Sequence, residues 1–306
     1  MGILVIGATF VDIKGFPFDN YLPTGRNAGR VEYVHGGVAR NVVEDIANVE
    51  LRPTFLSIVD DTPMGQAVLQ KLNNHKVNTD YVLTRPDGMG TWLAVFDNNG
   101  DVAGSISKRP NMYPIAELLE EKGDEIFSQV SSVVLEIGLD KEIVKGTLAL
   151  AKKHKVKTFA LVANMSIAAE RRDLLQQFDC VICNQQEAGI LFLDDYEGKT
   201  PEEMRDILAE RIIAANIPSM VVTMGGEGAV YANLAGEQGV CPARKVQVRD
   251  TTGAGDSFCA GVAIGMTYGK TIAESVEIGT TLAASVITSS ENVCPRFRPE
   301  EFGIHF

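Results

Sequence analysis

Short stretches of unbroken apolar residues punctuate the chain. Ile3-Leu4-Val5-Ile6 ends at Gly7, and similar runs recur at Thr54–Val59, Val133–Ile137, Thr158–Val162, Cys180–Cys183 and Met220–Thr223. A strand with no polar face must be covered on both sides, which is the habit of parallel sheets. Helical stretches separate the runs. Residues 63–74 place Met64, Val68, Leu69 and Leu72 on one face, and helices are also expected over 140–154, 167–177 and from about Val42 to Val49. Near the C-terminus Phe258, Val262 and Met266 recur every fourth residue, and Ile272 to Ser289 reads as a long helix of small residues. Strand–helix alternation of this kind predicts an α/β fold with a mostly parallel sheet and helices on both faces.

Two segments break the alternation. Residues 15–35 are rich in Gly, Pro and Asn around the alternating run Arg30-Val31-Glu32-Tyr33-Val34, the pattern of a lid or edge strand. Thr91–Phe96 and Val102–Ser107 flank Asp97-Asn98-Asn99-Gly100-Asp101, a hairpin signal. The first hairpin strand is apolar on both faces, so core, ligand or a second subunit must cover each side.

At 306 residues and 45% hydrophobic composition the chain can bury a full core. The net charge of −12 argues against a nucleic-acid partner, which calls for a basic face. The N-terminal apolar run is too short for a signal or a membrane span, so a cytoplasmic setting is expected. Five cysteines are odd in number and scattered, which does not suit a disulfide framework. Cys180 and Cys183 stand three apart in a strand, which points them to opposite faces and excludes a shared metal.

The chemistry concentrates in Asp250-Thr251-Thr252-Gly253-Ala254-Gly255-Asp256-Ser257-Phe258. Glycines that open a helix let backbone approach a ligand, and the unpaired amides of the first turn then face an anion. A carboxylate in such a cradle would repel a phosphate, but Asp256 suits a base that takes a proton from an attacking hydroxyl. The competing reading is a capped helix packed tightly on a sheet. Further candidates lie at the ends of strands, where open α/β sheets bind ligands. Asp12 lies just beyond the first strand, as a hydroxyl ligand or a loop aspartate capping a turn, and Glu136 ends another strand, as a hydroxyl ligand or a solvent-facing glutamate. Gly36-Gly37 leads to Asn41, which offers both a donor and an acceptor. Asn184 and Glu187 stand three apart after their strand, as a capping box or as a metal-side pair.

The 250–258 motif resembles the C-terminal signature of the ribokinase-like (PfkB) carbohydrate kinases. The double-glycine-to-asparagine motif at 36–41 and Asn184-Gln185-Gln186-Glu187 resemble two further motifs of that family, in the same order. The resemblance implies a three-layer α/β/α fold, a single domain over 1–306, and a small β-sheet lid inserted at about 12–35 and 88–108. It implies an ATP- and magnesium-dependent kinase with Asp256 as catalytic base and the Gly253, Ala254 and Gly255 amides around the transferring phosphate. Asp12, Gly36, Gly37, Asn41 and Glu136 would bind the acceptor. Asn184, Thr223, Gly225, Gly228 and Asn292 would bind nucleotide. Glu187 would hold magnesium through water, and Asp250 and Thr252 a monovalent cation such as potassium.

The motifs look most like the pseudouridine kinase branch, which implies phosphorylation of a primary hydroxyl on a furanose ring, with pseudouridine as substrate. Ribose, fructose or a related free sugar is the alternative, and a nucleotide-binding regulator on the same scaffold the second. That branch carries Asp-Pro where this chain has Ala163-Asn164, a departure that bears on metal geometry and substrate. Near the acceptor residues the only basic residues expected are Lys14, Arg30 and Arg40, too few for a sugar phosphate. The lid, with Trp92, Leu93 and Phe96, would cover a flat base or a homodimer interface.

Overall fold

The computed structural model describes residues 2–162 and 169–305. Its strands are β1 Ile3–Ile6, β2 Phe10–Pro17, β3 Gly29–Gly36, β4 Thr54–Val59, β5 Val82–Thr84, β6 Gly90–Phe96, β7 Val102–Lys108, β8 Ser132–Glu136, β9 Lys157–Leu161, β10 Cys180–Asn184, β11 Ser219–Thr223, β12 Ala229–Asn233 and β13 Gln238–Cys241. The large sheet runs β13-β12-β11-β10-β9-β8-β1-β4-β5. Its strands are parallel from β11 to β5, and β12 and β13 extend it as an antiparallel edge.

The apolar runs divide between two cores by their pleat. Leu4, Ile6, Val133 and Leu135 point into one layer, and Ile3, Val5 and Val134 into the other. Cys180 and Cys183 divide in the same way, one in each layer. The helices Tyr113–Phe127, Lys141–His154 and Pro201–Ala215 cover the first face; Val38–Asn48, Ala254–Thr267 and Ile272–Ile287 cover the second. The last two pack backbone to backbone, since a Cβ at Gly261 would come within 2.5 Å of the Gly279 Cα. The fold is the expected three-layer one.

The sequence of strands reverses direction between β1 and β8, where the chain turns outward to β4 and β5 on one side and to β9, β10 and β11 on the other. Ligand crevices of open α/β sheets form outside the carboxyl ends of strands at such a point. Three residues beyond β1 the chain leaves the large sheet and enters a second one, ordered β3-β2-β6-β7, which stands over this crevice.

Three expectations change. The helix expected over 167–177 falls partly outside the described residues, and those described carry a short helix at Arg172–Leu175 in its place. The helix after the glycine pair begins at Val38, four residues earlier than its apolar pattern suggests, because Gly37 at φ 97° serves as its cap. Asp12 is not in a loop but within β2, paired with Val34 on one side and Trp92 on the other.

The inner face of the small sheet carries Asp12, Phe16, Trp92 and Phe96. Phe16 stacks on Phe96 at 4.7 Å, and Trp92 meets Phe96 edge-on at 6.4 Å. Its outer face presents the row Tyr33–Ile13–Leu93–Ile106 in cross-strand register, with Tyr33, Leu93 and Ile106 exposed. The apolar outer side of the hairpin is therefore uncovered in the single chain.

Candidate active site

A cleft of about 680 Å³ opens between the carboxyl end of β1, the end of β8, the inner face of the small sheet and the start of the helix Ala254–Thr267. Asp12, Gly37, Asn41, Glu136, Thr252, Gly253 and Asp256 all line it. Residues separated by more than two hundred positions thus meet in one cavity.

Asp256 stands in the first turn of its helix. Burial pushes its carboxyl up to about 7, against the Asn41 amide and the Arg40 charge, while Glu136 and Asp12 add to the rise. Asn41 Nδ2 donates to Asp256 Oδ2 at 2.6 Å. The orientation of that amide is set from behind, because Arg40 donates to Asn41 Oδ1 and to the His35 carbonyl. Arg40 is in turn held by Glu44, 2.5 Å away and one helical turn on, with both side chains buried. Lys71 closes the group on Glu44 at 2.8 Å. Burial alone would raise the Glu44 carboxyl, but Arg40 and Lys71 outweigh it and keep it low.

The floor is tied a second time through Asp45, whose Oδ2 accepts from Ser257 Oγ at 2.7 Å and whose Oδ1 accepts from the Cys294 amide at 2.6 Å. One buried carboxylate thereby fixes the residue after Asp256 and the 290–294 loop to the helix that carries Asn41. Burial pushes it up to about 7 as well.

The walls are acidic. Glu136 Oε2 accepts from the Ala8 amide at 2.9 Å, bridging the ends of β8 and β1. Burial raises the Glu136 carboxyl, with the Ala8 amide and Arg109 opposing. Burial likewise raises Asp12, against Lys14 and Arg40. Gly36 is buried behind Asp12, and a Cβ there would sit 2.5 Å from its carboxylate.

Gly253 caps the helix in the left-handed region, at φ 82°, and a Cβ would fall 2.0 Å from the Asn292 carbonyl oxygen. Only glycine fits both demands. Ala254 opens the helix and Gly255 is exposed, with nothing within 4 Å of where its Cβ would lie. The Ala254 amide donates to the Thr251 carbonyl at 3.2 Å, while the Gly253 and Gly255 amides have no hydrogen bond among the described residues, and unpaired first-turn amides are what binds anions at helix N-termini. Asp250 Oδ1 accepts from the Thr252 amide at 2.9 Å just before it. Burial would raise the Asp250 carboxyl, but its bonds to Thr252 bring it down.

A second group lies along the neighbouring strand ends, outside the cleft lining. Asn184 and Thr223 are register partners at the ends of β10 and β11. Gly225 begins a short 3₁₀ turn and Gly228 ends it, with the Met224 amide donating to the Gly228 carbonyl at 2.7 Å. Asn184 and Glu187 form a reciprocal capping box: Asn184 Oδ1 accepts from the Glu187 amide and Glu187 Oε2 from the Asn184 amide, each at 2.8 Å. The capping geometry is therefore real, yet it leaves Glu187 Oε1 without a hydrogen bond among the described residues. Burial raises this carboxyl, partly offset by the Asn184 amide. Asn292 is nearly buried, and its side-chain amide donates to the His35 carbonyl at 3.0 Å. Ala163-Asn164 lies outside the described residues.

Residues 2–294 match the pfkB family carbohydrate kinases. The chain belongs to that family. This pfkB kinase is 35% identical to the guanosine-inosine kinase of Exiguobacterium acetylicum, over 95% of each chain. It is 27% identical to the pseudouridine kinase of Escherichia coli, over 90% of this chain and 86% of that one. Its fold superposes on Arabidopsis thaliana ribokinase, solved with ribose and ATP, with a TM-score of 0.86, covering 99% of this chain and 98% of that one at 20% identity.

Sequence reasoning missed part of the kinase's cleft. Phe10, Arg109, Met112 and Asp140 line it too. Arg109 corrects the expected set of cations: Arg40 is sealed in its ion pair with Glu44, and Arg30 lies over the Phe16 ring at 4.4 Å. Only the position of Arg109 directly after the hairpin hinted that it would reach the crevice.

Proposed function

We propose that this chain transfers the γ-phosphoryl group of ATP to the primary hydroxyl of a nucleoside. The observation that carries the reading is the composition of the cleft around Asp256. Its walls hold carboxylates suited to neutral hydroxyls, and Trp92 and Phe10 offer the flat apolar cover that a base uses. Similarity to two nucleoside kinases supports it. Guanosine or inosine stands ahead of pseudouridine, which the motif resemblance favours, because identity to the guanosine-inosine kinase is higher.

In this reading Asp256 accepts the proton of the attacking hydroxyl while that oxygen bonds to the γ-phosphorus and the bond to ADP breaks. The products are ADP and the phosphorylated nucleoside. The unpaired amides of Gly253 and Gly255, on either side of Ala254, whose own amide donates to the Thr251 carbonyl, face the charge that builds on the transferring phosphoryl oxygens. Asp12, Gly37, Asn41 and Glu136 align the sugar, and Asn184, Thr223, Gly225, Gly228 and Asn292 border the nucleotide.

Glu187 fits magnesium, since the capping box leaves one carboxylate oxygen without a hydrogen bond among the described residues and this ion is commonly held by one or two carboxylates together with phosphates. The ion supplies charge neutralisation at the phosphates. Asp250 and Thr252 present oxygen donors alone, which suits a monovalent cation such as potassium. Five buried free cysteines fit a cytoplasmic setting, and among the described residues no helix is long and apolar enough to cross a membrane. The uncovered row on the outer lid face suits a second copy of the chain.

The test is ADP release with guanosine, inosine, pseudouridine, ribose and fructose. A nucleoside should give the highest kcat/KM; a free sugar in first place would overturn the reading.

A further inference from the structure

Two charged side chains in the cleft have no part in the transfer chemistry. Arg109 follows β7 directly, and Asp140 precedes the helix Lys141–His154; both line the cleft that Trp92 also lines. Asp140 occupies the cap position of its helix, yet its carboxylate makes no capping bond. Neither residue has a side-chain hydrogen bond or ion pair among the described residues, although the charge of Arg109 is felt at Glu136. Both are exposed. The cleft thus holds one side chain that only donates and one that only accepts, neither satisfied from within.

A guanidinium has five N–H donors and no acceptor, and an ionised carboxylate accepts and cannot donate. A base with a carbonyl beside a ring N–H, a lactam edge, presents the complementary acceptor and donor side by side. Hypoxanthine, guanine and the uracil ring of uridine or pseudouridine all have it. Adenine and cytosine carry an amino group beside an unprotonated ring nitrogen, so the pattern is reversed. Against Arg109 and Asp140 their amino group would meet a donor, or their ring lone pair a carboxylate.

We infer that Arg109 and Asp140 read the lactam edge of the nucleobase and make the enzyme select oxo-nucleosides over adenosine and cytidine. The inference rests on the nucleoside reading above and names the chemical class within it. It also accounts for how one pocket could suit a purine and a pyrimidine, since the edge and not the ring size is recognised. Selectivity should be on the order of 100-fold, below the roughly 10⁴-fold of a site built wholly around a hydrogen-bonding group, because both side chains are open to water.

The experiment measures kcat/KM for inosine, guanosine, uridine, pseudouridine, adenosine, cytidine and ribose with the unmodified enzyme, Arg109→Met and Asp140→Asn, with thermal melts to verify folding. The unmodified enzyme should favour the lactam nucleosides, and each variant should reduce the ratio of inosine to adenosine by about tenfold or more. Asparagine can turn its amide to donate or accept, so Asp140→Asn should gain adenosine activity relative to inosine. A merely structural role would lower all nucleosides together and leave the ratio intact. An unmodified enzyme with no preference between the classes, or a ratio held in both variants, overturns the inference while the nucleoside reading stands. A ratio held in one variant removes that residue from the pair. Phosphorylation of ribose with no activity on any nucleoside overturns both.

Discussion

Replacing Asn41 with Leu should move the pH at which the enzyme switches on. Asn41 Nδ2 lies 2.6 Å from Asp256 Oδ2, and it opposes the burial that lifts this carboxyl to about 7. Leucine has nearly the same shape and no donor. A hydrogen bond to a charged group is worth about 1.5–3 kcal/mol, and one pKa unit corresponds to about 1.4 kcal/mol, so Asp256 should rise by roughly one to two units. A general base works in its ionised form, and so kcat/KM climbs with pH as Asp256 loses its proton. The midpoint of that climb should shift from about 7 to roughly 8 or 9. Initial rates of ADP release at low nucleoside concentration across this range give the profile. Asn41 also lines the cleft and is proposed to touch the acceptor, so the plateau should fall as well, but a lost substrate contact lowers the curve without displacing it. Arg40 loses one acceptor and keeps Glu44, and a thermal melt registers that separate cost. A midpoint that stays in place, or a rate independent of pH, would show that Asp256 is not the group that titrates.

Asp256→Asn keeps the shape and removes the proton acceptor; turnover should fall about 10²- to 10⁴-fold while ATP binding, followed by calorimetry, persists. Glu187→Gln should require more magnesium for half-maximal rate, because a neutral amide is a poorer partner for a hard cation; superimposable titrations would reduce Asn184 and Glu187 to helix capping. Ile106→Glu places a charge in the exposed row Tyr33–Ile13–Leu93–Ile106. If that face joins two copies, sedimentation should report a dimer for the unmodified chain and a monomer for the variant.

The parts of this protein that were legible in advance are those whose signals are local. Thr54–Val59 and the helix Pro63–Asn74 match expectation to the residue, because Thr62 and Pro63 mark the helix start and Thr62 Oγ1 accepts from the Gly65 amide. The start of the helix Val38–Asn48 is not legible because a glycine pair also reads as loop. The place of Asp12 within a strand is not legible either, because nothing in its neighbours announces that the chain changes sheet three residues after β1. Arg40 and Glu44 stand four apart, a pairing visible in the sequence, but its seclusion behind Asn41 depends on helices from the other end of the chain. Arg109 and Asp140 enter the cleft through the path of the hairpin and the end of β8, which no local pattern encodes.

The bonds that close the floor of the cleft have consequences for how the protein is made. Asn41 to Asp256 spans 215 positions, Asp45 to Ser257 spans 212, and Asp45 to Cys294 spans 249. During synthesis the acceptor half leaves the ribosome with Asn41 and Asp45 lacking these partners, and a carboxylate without its donors resists removal from water. The interior face of the helix Val38–Asn48 must therefore stay wet until the last fifth of the chain arrives. Long-range closure of this kind slows folding, and the nascent chain remains open to chaperones and proteases over that interval. The residues that assemble the floor of the cleft are, by the same bonds, the last to be sheltered.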